Sequence, residues 1–178
     1  MSARAIVACC LAVLTAGPLH ATEVEGPRIR GDDPYARWLI RSAMRHSPTT
    51  ADLVAALEKT DVVVYVSTSR NRSAFSAHTR LINGAGPVRF ILISLSGAEH
   101  PQTLLELLGH ELQHVIEIAD HPEVRDANGM RALFSRIGRE HTLDHFETSQ
   151  AIQVAYRVRE ELGRYPVWLL AATAPSGQ

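Results

Sequence analysis

Cysteine is nearly absent from this 178-residue chain: the only two, Cys9 and Cys10, lie in the apolar stretch AIVACCLAVLTA near its start. Arg4 precedes that stretch and Leu19-His20-Ala21 follows it, the charged, apolar and small-residue plan of an export signal over 1–21, with cleavage expected after Ala21. The expected mature chain has no thiol, which excludes disulfides even in an oxidising compartment; a periplasmic or secreted product is expected. Long apolar runs are missing too. The 12-residue signal stretch is shorter than an ordinary membrane span, and no later run is long enough, so no stable span is expected after cleavage. Positive charge is not in excess: 18 Lys and Arg stand against 19 Asp and Glu, for a formal charge of -1. That leaves no electrostatic case for nucleic acid, whose binders usually carry a basic domain or stripe. There is no internal repeat and no low-complexity tract. Losing residues 1–21, with one arginine and no acid among them, would leave 157 residues at -2, enough for one domain and too few for two. Residues 22–33, with Gly26, Pro27 and Gly31, are expected to form an exposed leader to a single domain over 34–178.

What is present is His110-Glu111-Leu112-Gln113-His114, an HExxH stretch inside the run PQTLLELLGHELQHVIEIA from Pro101 to Ala119. Pro101 suits a first helical turn, and the leucines and isoleucines recur at helical spacing. Projected at about 100° per residue, Leu104, Leu105, Leu108, Leu112, Val115 and Ala119 share one arc, with Glu106, Gln113 and Asp120 opposite and the two histidines on the border. Histidines four apart on a helix can share one tetrahedral zinc, and the glutamate between them can take a proton from water on the metal. Glu111 projects toward the apolar arc, where an ionised carboxylate without a partner is costly. The plainer reading makes both histidines ordinary border residues and lets Glu111 reach water.

A catalytic zinc needs a third protein ligand. Downstream, HFETSQAIQVAYRVREELG over 145–163 reads as a second amphipathic helix with Glu147, Ala151, Val154, Val158 and Leu162 on one stripe. Glu147 thus heads an apolar face, where a cation would answer its charge. The competing reading is a capping box with Asp144 as N-cap and Glu147 at N3. Glu140, His141 and His145 are the other candidate ligands. Glu117 is close in angle to His110 but about 10 Å along the helix, which suits a solvated residue or one supporting a ligand.

GHELQHVIEIA followed, 33 residues after His114, by Glu147 resembles the zincin metallopeptidases, in particular their gluzincin branch. The resemblance covers 60–163 in element order, with HExxH as its specific motif. It implies His110, His114 and Glu147 as zinc ligands and Glu111 as general base. It also implies an α+β domain in which a short sheet packs on the HExxH helix, with an edge strand that accepts an extended peptide; 88–95 is the candidate strand, and its ordinary reading is a core strand with no substrate role. One departure stands out: many gluzincins carry an aspartate four residues after the glutamate ligand to orient a histidine, and here that residue is Ala151. For the residue that steadies an oxyanion, His141, His145, Tyr156 and Tyr165 all remain open.

The remaining elements agree with an α+β plan. Strand-like runs occur at 62–66, 78–82 and 88–93, giving a sheet of about three strands, and Asn83-Gly84-Ala85-Gly86-Pro87 supplies a turn. Helices are expected at 34–45, 50–59 and 124–138. The tail VWLLAATA is expected to dock on the core. The function expected is an exported zinc metallopeptidase acting on a peptide or protein, through zinc-activated water and Glu111. A zinc amidase for a cell-wall or other non-protein amide would use the same ligands. An inactive zincin-fold binding protein is the non-enzymatic reading.

Overall fold

The computed structural model describes residues 26–69, 76–96, 99–142 and 145–165, apart from the side chains at 141, 142 and 145. The expected export signal and the VWLLAATA tail lie outside the described residues. Within them the chain is α+β, with five helices, a mixed four-stranded sheet and a separate two-stranded one. No helix among the described residues is long and apolar enough to cross a membrane.

The chain enters through β1 (Ile29–Gly31), which corrects the expected exposed leader. Ile29 is buried, and β1 pairs in parallel with β2 (Val62–Ser69). Three residues with a single large apolar side chain carry no alternation for sequence reading to detect. Gly31 turns the strand into α1 (Pro34–His46) at close quarters: a Cβ there would lie 2.5 Å from the Arg37 amide nitrogen. Asp33 caps α1 by accepting the Ala36 N–H at 2.8 Å. Ala36, Leu39, Ile40 and Ala43 form its buried stripe. Ser47 ends α1 and caps α2 (Pro48–Leu57), which starts two residues before the expected boundary because Pro48 fits the first helical turn.

Strand order is β1-β2-β4-β3, with β3 at Ala77–Asn83 and β4 at Arg89–Ser96. β2 is parallel to β4, and β3 runs antiparallel to it. The expected substrate strand at 88–95 is therefore interior, hydrogen-bonded on both sides; among the described residues the edges are β1 and β3, and β3 is the one beside it. Val62, Val64 and Val66 of β2 and Ile91, Ile93 and Leu95 of β4 supply the sheet's part of the core. α3 (Pro101–Ala119) lies in the middle of that core, touching β3, β4, α1, α2 and α5 (Ser149–Leu162). Its expected apolar arc is buried, save that Ala119 is only partly so. α4 (Ala127–Ile137) and the antiparallel pair β5 (Arg139–Thr142) and β6 (His145–Glu147) connect α3 to α5.

The far end of α3 is held by Arg89, the first residue of β4, which is fully buried. Its guanidinium donates to both Asp61 oxygens, at 3.0 and 2.6 Å. It also donates to the carbonyls of Ile118 (2.7 Å), Ala119 (3.1 Å), His121 (2.9 Å) and Val124 (3.3 Å). Carbonyls at a helix C-terminus have no partner within the helix and favour a cation, so Arg89 satisfies them while fixing α3 to the sheet.

Burial pushes the Asp61 pKa up, but the Arg89 hydrogen bonds and charge, helped by Arg125, outweigh it and hold the group below its ordinary value of 3.8. A lowered folded pKa adds stability that is complete above the unfolded value and is lost as pH falls through the folded one. Asp61→Asn should therefore cost roughly 2–3 kcal/mol in urea unfolding at pH 7, and its gap from wild type should close as pH drops below that ordinary value. A gap independent of pH would contradict the ion pair as its source.

Candidate metal centre

α3 presents His110 and His114 one turn apart, with ring centroids 4.9 Å from each other at 84°. The third group arrives from another direction. Glu147 ends strand β6, and its Oε2 is 3.0 Å from His110 Nε2. It is not on the second helix, as expected, nor at N3 of a capping box. The N-cap of α5 is Thr148, whose hydroxyl accepts the Ala151 N–H at 3.1 Å. One ligand-type atom from each of His110, His114 and Glu147 lies within 4.8 Å of the others, close enough to hold one metal ion.

The surroundings test whether a cation fits there. His114 is buried and its Nδ1 is engaged by Glu117 Oε2 at 2.9 Å. Its Nε2 is buried with no hydrogen-bond partner, a costly state for an imidazole nitrogen that a metal ion would relieve. Burial pushes the His110 pKa down, yet the hydrogen bond to Glu147, the charges of Glu111 and Glu147 and a backbone bond with Ala151 together raise it above the ordinary value. The pocket therefore favours positive charge. Two imidazoles and a carboxylate, with two further carboxylates beside them, form a donor set suited to a divalent ion.

Glu111 is 3% exposed, as its projection toward the apolar arc required. Its Oε2 accepts the Thr79 hydroxyl at 2.6 Å. Thr79 lies on β3 between Ala77 and Leu81, the inward positions of that strand; a polar residue at an inward position was the available signal. Glu117 was expected to be solvated or to support a ligand. It is buried rather than solvated, and it meets His114 from the i,i+3 position that brings side chains together on a helix. Because the Ala151 N–H is taken by Thr148, the group that faces His110 is the Ala151 carbonyl.

Among the described side chains, no other candidate is brought into this group. Glu140 pairs with Phe146 across the hairpin, while Glu147 pairs with Arg139, so the two glutamates take opposite faces. His141 and His145 have backbone positions in β5 and β6, and their side chains lie outside the described ones. Tyr156 is exposed on α5 beneath the Arg159 guanidinium, and Tyr165 packs edge-on to His46. No oxyanion-steadying residue is identified among the described side chains.

Gly109 allows α5 to approach this part of α3, since a Cβ on it would lie 2.8 Å from Val158 Cγ2. Arg159 closes the same interface with a two-pronged bond to Glu106, at 2.8 and 2.6 Å. Among known proteins, no family model, no curated protein and no solved structure matches this chain.

Elemental analysis of the purified protein should find about one divalent metal ion per chain, and folded Glu147→Ala should lose most of it. Full retention in that variant would remove Glu147 from the ligand set.

Proposed function

We propose that the chain is a zinc-dependent metallopeptidase of the gluzincin kind, hydrolysing peptide bonds in a peptide or protein. The observation that carries this reading is the buried Glu111 carboxylate, held by Thr79 beside the His110, His114 and Glu147 group. A purely structural metal site has no use for a further acidic group kept dry at its side, whereas a hydrolase needs a base there. The nitrogen-rich donor set favours zinc over a hard ion such as magnesium or calcium.

His110, His114 and Glu147 would hold the ion. When bound, zinc supplies Lewis-acid polarisation of a carbonyl and lowers the pKa of water toward neutrality. Glu111 takes the proton of the attacking water and passes it to the leaving nitrogen, so that the C–N bond breaks to a carboxylic acid and an amine. Thr79 donates to Oε2, which orients the carboxylate and leaves Oε1 for the proton transfer. Glu117 keeps the His114 ring turned with Nε2 away from it. Among the described residues β3 has a strand neighbour on one side only, and the same strand carries Thr79. An extended peptide pairing with that edge would run beside Glu111, which supports a peptide over a compact small amide.

Glu111→Gln should keep its metal while hydrolysis of casein or a mixed peptide library falls by about 10²–10⁴-fold. Undiminished hydrolysis would remove Glu111 as the base. A zinc-loaded wild type that cleaves only non-peptide amides would replace the peptidase reading with the amidase one.

A further inference from the structure

We propose that Glu117 is the positioning residue of this centre and that it acts through Thr148 as well as through His114, so that one carboxylate sets both parts of the ligand group. The proposal rests on the zinc-site reading above. The spacing of His110 and His114 is fixed by α3 itself. The place of Glu147 is not, because it comes from a different element 33 residues after His114. Thr148, the next residue, provides the connection. Its hydroxyl donates to Glu117 Oε1 at 2.6 Å and accepts the Ala151 N–H at 3.1 Å. The other Glu117 oxygen takes the His114 Nδ1–H at 2.9 Å.

A carboxylate suits this place because both of its oxygens accept, one from each neighbour. Accepting from Nδ1 fixes the His114 tautomer and directs the Nε2 lone pair to the metal. Accepting from Thr148 ties the junction of β6 and α5, and with it Glu147, to the same point on α3. The Ala151 N–H is capped by Thr148 while the Ala151 carbonyl faces His110, so the junction also reaches the third ligand. Glu117, Thr148 and His114 are all buried, and bonds between buried groups hold geometry more strongly than bonds that water can replace. Glu117 and Thr148 also line a cavity of about 420 Å³ together with Asp120, His121 and Gln150, so breaking their contact opens the supporting carboxylate to that space. Thr148 touches no ligand atom by itself, yet its hydroxyl should govern metal affinity.

The test is zinc affinity of the purified protein by chelator competition, beside thermal unfolding of the metal-free form. Thr148→Val and Glu117→Gln should each weaken zinc binding about 10–100-fold, while Thr148→Ser, which keeps the hydroxyl, should bind as wild type does. A role confined to capping α5 would lower the unfolding temperature of Thr148→Val and leave its affinity unchanged, and that result overturns the proposal. Should Thr148→Val not fold, wild-type affinity in Glu117→Gln overturns it instead. Tight binding in wild type with unaffected variants would reject the positioning role alone; no zinc binding by folded wild type would reject the metal centre and this proposal together.

Discussion

Glu111 and Glu117 share α3 with two histidines and lie almost wholly out of water. An ionised carboxylate in such a place costs several kcal/mol unless hydrogen bonds or positive charge answer it, and the elements around the helix are arranged to provide those answers. Thr79 of β3 meets Glu111, while His114 and Thr148 share the two oxygens of Glu117. His110 lies against Glu147. The group still holds three carboxyl groups against two imidazoles, and among the described residues the buried His114 Nε2 has no hydrogen-bond partner. A cation between the histidines and Glu147 would resolve both.

This balance depends on where α3 is held. Arg89 fixes its C-terminal carbonyls to the start of β4, and Asp61 neutralises the arginine. Gly109 lets α5 close on the neighbouring turn, so the β6–α5 junction comes within reach of His110. β3 lies against the same helix as an edge of the described sheet, carrying Thr79. The centre is thus assembled from three places in the chain, and α3 alone would supply the two imidazoles, Glu111 and Glu117 but not the third member of the group, Glu147.

The strength of local periodicity decided what could be read from the sequence. α3 was legible end to end because 19 residues of apolar spacing and a leading proline agree. Glu147 was reached by a helical stripe that does not include it: the ladder with β5 keeps 145–147 extended, and Thr148 starts the helix. Asp144 and Glu147 have capping-box spacing, but pairing between strands is non-local and leaves no such mark. β1 was missed because three residues show no period. β4 was mistaken for the edge because its order in the sheet is set by crossover, not by its own residues. Arg89 drew no attention, since nothing in VRFILI shows that a helix end will sit over it. The distance of Glu117 from His110 rules it out as a ligand and leaves it either solvated or supporting one; only the fold shows it buried, with His114 as its partner.

The central claim is a metal held by two imidazoles of α3 and the carboxylate of Glu147. X-ray absorption at the zinc edge of the zinc-loaded protein tests it most directly. The expected result is a four-coordinate shell of nitrogen and oxygen at about 2.0–2.1 Å, with the outer-shell scattering of two imidazole rings. An all-oxygen shell, or one with the signature of fewer than two imidazoles, would contradict it.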